Sequence, residues 1–174
     1  MDESLLIGAR NRLLQALARS APGGSTLRVW LHRARGVDIG SATAIGVDVL
    51  IETAFPQLVK IGSRVSIGLR VTIIGHMREV GGEAIRQRKP TVTIEDDVYI
   101  GAAAVILPNV VIGRGAVVTA GSVVTRSVEP QTMVQGNPAH VVASCGLPLG
   151  RSTPLKLFYQ HLRPIRNDAE TARQ

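Results

Sequence analysis

The stretch Thr91–Ala139, TVTIEDDVYIGAAAVILPNVVIGRGAVVTAGSVVTRSVEPQTMVQGNPA, decides the fold, because a branched aliphatic residue returns in it at every sixth place. Ile94, Ile100 and Ile106 are followed by Ile112, Val118 and Val124. The same period runs upstream through Ile61, Ile67 and Ile73, and before that through Ile39, Ile45 and Ile51. Four residues beyond most of these positions stands a second apolar or small side chain: Thr43, Val49, Val65, Val71, Val98, Ala104, Val110, Ala116, Ser122 and Val128. Glycine often follows the branched residue directly, at 40, 46, 62, 68, 101 and 113.

A period of six fits neither a helix, which repeats near 3.6, nor a half-buried strand, which repeats at 2. It fits a parallel β-solenoid in which each hexad is one short strand and a turn, with the branched residue inward. The residue after it, often glycine, lies near a corner where unusual dihedrals are expected. Three hexads make one triangular coil, and stacked coils bury a column of aliphatics that no single coil could bury alone. The expected fold class is mainly β, a single-stranded parallel β-helix, with an N-terminal helix and a short C-terminal helical extension.

Two breaks interrupt the repeat. Ile51 to Ile61 is ten residues, so Ala54, Phe55, Pro56 and Gln57 mark a bulge at a corner. Ile73 to Ile94 is twenty-one, so the segment from His76 to about Pro90 leaves the prism as a loop. A long excursion from a regular repeat more often serves a site or an interface than the core.

The flanks divide the 174 residues into three segments: 1–24, a helix and linker; 25–143, the solenoid with its loop 76–91; and 144–174, an extension that is partly disordered. Residues 2 to about 19 show Leu5, Leu6, Ala9, Leu13, Ala16 and Leu17 at helical spacing, with Arg10, Arg12 and Arg19 off that stripe. Such a helix is expected to cap the open first coil, whose end exposes strand edges and apolar core. The alternative is a membrane-surface role. Gly136, Asn137, Pro138 and Ala139 form a turn as the chain leaves the last coil. Leu155, Leu157, Phe158 and Leu162 then suit a short packing helix, and Asn167 to Gln174 suits disorder.

The composition is 45% hydrophobic and 3% aromatic, which suits a narrow prism filled by stacked Ile and Val. The formal charge of +7 comes from scattered residues such as Arg28, Arg33, Arg35, Arg86, Arg88 and Lys89. They lack the interleaved aromatics that stack on bases, so a solvated surface is expected in place of a nucleic-acid partner. One cysteine, Cys145, excludes an internal disulfide. The absence of a long apolar run and of a signal pattern gives a cytoplasmic expectation.

His76 stands at the root of the one long excursion, and histidine is the side chain best suited to take a proton from a hydroxyl near neutral pH. The alternative is an ordinary loop histidine. A zinc site wants three or four convergent ligands, and only one histidine falls within the coils, so no metal is expected. No phosphate cradle, nucleophile elbow or dinucleotide fingerprint is present.

The segments IGAAAVI, AGSVVT and GNPA together resemble the signature of the hexapeptide-repeat acyltransferases, left-handed parallel β-helices, over about residues 36 to 143. The likeness is to the branch of the maltose and galactoside O-acetyltransferases. It implies acyl transfer from acetyl-CoA to a hydroxyl of a sugar, a polysaccharide precursor or a similar small acceptor held between subunits of a homotrimer. His76, in TIIGH, matches the family's catalytic histidine. Glu52 stands at the hexad position of an acceptor-binding asparagine, where it would orient His76, bind the acceptor or merely occupy a surface corner. Phe55 would line the acceptor pocket or simply pack. Ala102, Ala120, Thr125 and Arg126 match coenzyme A contacts, and Tyr99 stands where many relatives have tryptophan. His140 and Ala143 depart from the basic residues common there. The alternatives are an antibiotic-inactivating acetyltransferase and a non-catalytic trimeric scaffold.

Overall fold

A residue repeated every sixth place on a chain with three strands per coil comes to lie above its counterpart three hexads earlier. The computed structural model, which describes residues 5–77, 82–87, 89–150 and 153–165, has this arrangement. The first coil comprises β1 (Asp38–Ile39), β2 (Ala44–Ile45) and β3 (Leu50–Ile51), and the second β4 (Val59–Ile61), β5 (Ser66–Ile67) and β6 (Thr72–Ile73). The third comprises β7 (Val92–Ile94), β8 (Tyr99–Ile100) and β9 (Val105–Ile106), and the fourth β10 (Val110–Ile112), β11 (Val117–Val118) and β12 (Val123–Val124). Strands of successive coils pair in parallel, giving the faces β1-β4-β7-β10, β2-β5-β8-β11 and β3-β6-β9-β12. The register places Ile51 on Ile73, Ile73 on Ile106 and Ile106 on Val124, and the other two columns are built the same way. These side chains are buried. Each contributes roughly 1.5–3 kcal/mol by leaving water.

The glycines after the inward residues have a different cause from the one expected. Left-handed backbone falls two residues later, at Ala42, Asp48, Arg64, Arg70, Asp97, Ala103 and Asn109, with Gly115 and Gly121 continuing the series. Glycine at 40, 46, 62, 68, 101 and 113 is required by space. A Cβ at Gly101 would stand 2.4 Å from the Ala120 nitrogen, and one at Gly40 2.5 Å from the Ser63 nitrogen. The corners of adjacent coils are that close.

Helices α1 (Leu5–Ser20) and α2 (Leu27–Ala34) lie at the open end of the first coil. The second of these was not anticipated. The predicted helix exists, but the face it packs is reversed: Gly8, Asn11, Gln15 and Ala18 are buried, whereas Leu5, Leu6, Leu13 and Leu17 are exposed. The solenoid end offers unpaired backbone groups, and these select a polar face. Gln15 donates from Nε2 to the Val49 carbonyl at 2.8 Å and accepts from the Ile51 N–H at 3.4 Å. The Asp48 and Ile45 N–H groups donate to the carbonyls of Arg19 and Gly24 at 2.8 Å each.

At the other end β13 (Thr132–Gly136) extends the second face beside β11, and β14 (Ala139–Cys145) returns antiparallel to it. The expected turn links them, with a cis Asn137–Pro138 bond. Within the excursion after β6 runs α3 (Gly82–Gln87). The expected C-terminal helix is α4 (Leu155–Gln160), with Phe158 buried against Val117 and Cys145. Leu162, read as part of that helix, instead begins β15 (Leu162–Pro164), which pairs antiparallel with β14. The disorder expected for 167–174 lies outside the described residues. Among the described residues no helix is long and apolar enough to cross a membrane.

Candidate active site

The chain leaves the second coil where Ile74 is still stacked, its N–H on the Ile106 carbonyl at 2.9 Å, and Gly75 then turns toward the first coil. A Cβ at Gly75 would lie 3.0 Å from the Leu58 Cβ and 3.1 Å from both Cγ and Oε2 of Glu52, so only glycine passes without displacing that carboxylate. Thr91, where the chain rejoins the prism, donates its hydroxyl to the Gly75 carbonyl and its N–H to the Leu58 carbonyl. The root of the excursion is thereby fixed.

Glu52, 5% exposed, is surrounded by donors. Its Oε1 accepts from the N–H groups of Ala54 at 3.0 Å and Phe55 at 3.2 Å. Its Oε2 accepts from the N–H groups of Gly75 at 2.9 Å and His76 at 3.1 Å, and stands 2.8 Å from His76 Nδ1. Burial alone would push its pKa up, but the His76 ring and the Phe55 and Ala54 N–H groups together hold it below the usual carboxylate value. An ionised carboxylate only accepts, so Nδ1 carries the imidazole proton and Nε2 presents a lone pair. Nε2 has no partner among the described residues, and the His76 side chain is 34% exposed.

Phe55 meets His76 edge to face, with ring centroids 5.1 Å apart and planes at 83°. The sequence-predicted residues Glu52, Phe55 and His76 are therefore brought together. Glu52 and His76 line a cleft of about 160 Å³ with Leu50, Thr53, Thr72, Ile73 and Ile74, and Phe55 stands against the His76 ring.

Sequence reasoning missed Arg35, which it counted among the solvated charges. Arg35 is 1% exposed and donates from Nη2 to the Ile51 and Glu52 carbonyls, bracing the backbone under the carboxylate. Its Nε donates to His32 Nδ1 at 3.3 Å. Burial lowers the Arg35 pKa to about 10 despite the favourable charge of Glu52. His32 is lowered to about 3, first by burial and then by Arg35 and Arg28. The signal was available: Val29, His32 and Arg35 recur three apart, the spacing of one helical face.

The proposed coenzyme A contacts occupy the upper coils. Thr125 follows β12 on the corner column that carries Glu52 and Ile74 below it, two coils above Ile74, or about 10 Å at the usual strand spacing. Ala102 and Ala120 share the opposite edge of the same face, with the Gly121 N–H donating to the Ala102 carbonyl at 2.8 Å. Ala120, Thr125 and Arg126 are exposed. Tyr99 lies on the next face round, packed with Val117, Cys145 and Phe158, and is not brought to the cleft. Among the described residues no group of three or more His, Cys, Asp or Glu is placed to hold a metal ion.

Coils of this kind occur in a class of transferase. A family model described as bacterial transferase hexapeptide (six repeats) matches residues 91–126. YvoF of Bacillus subtilis strain 168, provisionally named an acetyltransferase, is 33% identical over 134 residues, 76% of this chain and 75% of YvoF. The hexapeptide-repeat acetyltransferase VCA0836 of Vibrio cholerae, solved with acetyl coenzyme A, is 25% identical at a TM-score of 0.59, over 80% of this chain and 87% of that one. The maltose O-acetyltransferase of Clostridium difficile 630, 21% identical at a TM-score of 0.54 over 81% and 89% of the two chains, shares the fold. Other relatives are longer, and the chain spans 29% of a serine acetyltransferase of Arabidopsis thaliana to which it is 39% identical over 111 residues. The chain belongs to the hexapeptide-repeat acetyltransferases, and its fold is their left-handed parallel β-helix.

Proposed function

We propose that the chain moves an acetyl or other short acyl group from coenzyme A to a hydroxyl of a saccharide or similar small acceptor, with His76 as general base. The observation that carries this reading is the ring of donors around the Glu52 carboxylate, which fixes the His76 tautomer so that Nε2 is the free basic atom. Nε2 takes the acceptor's hydroxyl proton as the oxygen attacks the thioester carbonyl. The carbon–sulfur bond then breaks, and the same nitrogen returns the proton to the departing sulfur. An ester and the free thiol of coenzyme A result. Glu52 stabilises the transient imidazolium by charge and orients its ring.

The lining suits an acceptor with an apolar face and hydroxyl edges, since Leu50 and Ile74 stand beside Thr53 and Thr72. At about 160 Å³ the cleft is smaller than the roughly 300–1,000 Å³ that small-molecule sites usually enclose, which supports completion by a neighbouring prism in a homotrimer. Small residues at Ala102 and Ala120 leave room for the pantetheine arm along that face. The exposed Arg126 supplies charge for a phosphate.

The test is release of free thiol from acetyl-CoA by the purified chain across sugars, nucleotide sugars and antibiotics. With the best acceptor, His76→Ala is expected to lose about 100-fold or more in kcat while keeping its affinity for coenzyme A. Near-normal turnover in that variant would exclude His76 as the base.

A further inference from the structure

The N-terminal helix turns its most apolar face away from the protein. Leu5 is 89% exposed, Leu6 84%, Leu13 61% and Leu17 51%, and Ala9 and Ala16 complete the stripe. At 3.6 residues per turn this stripe lies opposite Gly8, Asn11, Gln15 and Ala18, which face the solenoid. Arg12 and Arg19 border it on one side and Arg10 on the other. On α2, Trp30 is 60% exposed and Leu27 41%. Contiguous exposed side chains of this kind mark an interaction surface, not a scatter of single residues.

Charge identifies the partner. From residue 5 to residue 37 the chain holds six arginines and no carboxylate. Arg19 pairs with Asp48 at 2.6 Å and Arg35 is buried, while Arg10 and Arg12 are exposed and make no salt bridge among the described residues. A second copy laid face to face on the stripe would bring those arginine borders together, with only Asp2 and Glu3 ahead of the helix to offset them. Residues 1–4 and 166–174 hold a single large apolar side chain, Met1. An anionic bilayer answers both features, because acyl chains receive the leucines while headgroup phosphates receive the flanking guanidinium groups.

We propose that the exposed apolar face of α1, bordered by Arg10, Arg12 and Arg19, docks the protein on an anionic lipid surface. The helix lies in the plane of the interface and does not span it. This inference does not depend on the acyl-transfer reading, because none of these residues belongs to the cleft.

The test is co-sedimentation of the full chain with vesicles of phosphatidylcholine alone or mixed with phosphatidylglycerol, alongside sedimentation velocity without lipid. The chain is expected to bind the mixed vesicles, to bind phosphatidylcholine weakly, and to release as salt is raised. Leu13→Gln with Leu17→Gln should weaken binding at least about tenfold. Arg10→Gln with Arg12→Gln should remove the preference for phosphatidylglycerol. The circular dichroism spectrum and melting temperature of each variant report that the fold is intact. Failure of the unaltered chain to bind mixed vesicles would overturn the proposal. So would unchanged binding by the folded leucine variant. An assembly that forms without lipid and is broken by the leucine substitutions, in a chain indifferent to vesicles, would instead assign the stripe to a second copy.

Discussion

Replacing Glu52 by glutamine keeps the side chain's length and exchanges one of its two acceptor oxygens for an NH2 group. Every neighbour of that carboxylate is a donor: the N–H groups of Ala54, Phe55, Gly75 and His76, and the His76 ring. Whichever way the amide turns, two or more donors face a donor, and the charge that would stabilise an imidazolium is gone. Glu52→Gln is therefore expected to reduce kcat by about 100- to 10,000-fold and to cost about 1–3 kcal/mol of stability. Affinity for coenzyme A should hold, since Ala120, Thr125 and Arg126 stand on the upper coils. Thiol-release kinetics with a coenzyme A titration check this, and kcat within a few-fold of the parent would remove Glu52 from the proton-transfer machinery. Glu52 and His76 were legible as separate residues, one by its hexad position and one by its place at the root of the excursion. Their contact was not, because it depends on Gly75 letting the second coil fold down onto the first.

The strands of the four coils are two or three residues long, so each element stands on its fit to the coils above and below. Gly101 and Gly121 separate two reasons for glycine at a corner. At Gly101 a Cβ would lie 2.4 Å from the Ala120 nitrogen and 2.7 Å from the Thr119 carbonyl carbon, both backbone atoms that cannot swing aside. Gly121 has open space around it but a φ of +71°. Gly101→Ala is expected to cost about 2–4 kcal/mol by forcing two coils apart, and Gly121→Ala about 1–2 kcal/mol by backbone strain. Denaturant midpoints at constant slope check the order, and equal losses would contradict it. The period of six made the three columns and the excursion readable in advance, because it comes from side chains that repeat. The corner glycines and the face that the capping helix packs did not follow from the period, because their causes lie in the backbone. Close approach between coils leaves no mark in a single hexad. The solenoid's end selects Gln15, Arg35 and main-chain carbonyls to meet its open strand edges, against the leucine stripe that periodicity alone would bury.

The whole molecule couples its capped end to its cleft through one buried chain of contacts, His32 to Arg35 to the Ile51 and Glu52 carbonyls. His32 is fully buried with Nε2 unpartnered among the described residues, and it faces the guanidinium groups of Arg35 and Arg28, so a proton on it is opposed by burial and by both charges. The ring gains its proton at about pH 3 in the folded chain, against 6.5 for an ordinary histidine. Between those values the unfolded chain binds more protons, so this contribution to stability is complete above about pH 6.5 and lost as pH falls toward 3, at about 1.4 kcal/mol per unit. Glu52, whose folded pKa lies below its ordinary 4.5, loses its contribution in the same direction but only as pH falls below that value. Between pH 6.5 and 4.5 His32 is therefore expected to lower the stability before Glu52 does. Unfolding in denaturant across it should show a declining free energy in the parent chain. His32→Asn keeps an acceptor near the Nδ1 position without a group that titrates there, and it should start less stable but fall less steeply. Parallel declines in the two proteins would place the acid sensitivity elsewhere. A flattened decline in the variant would show that the imidazole under the first coil sets the acid sensitivity of the fold in that range.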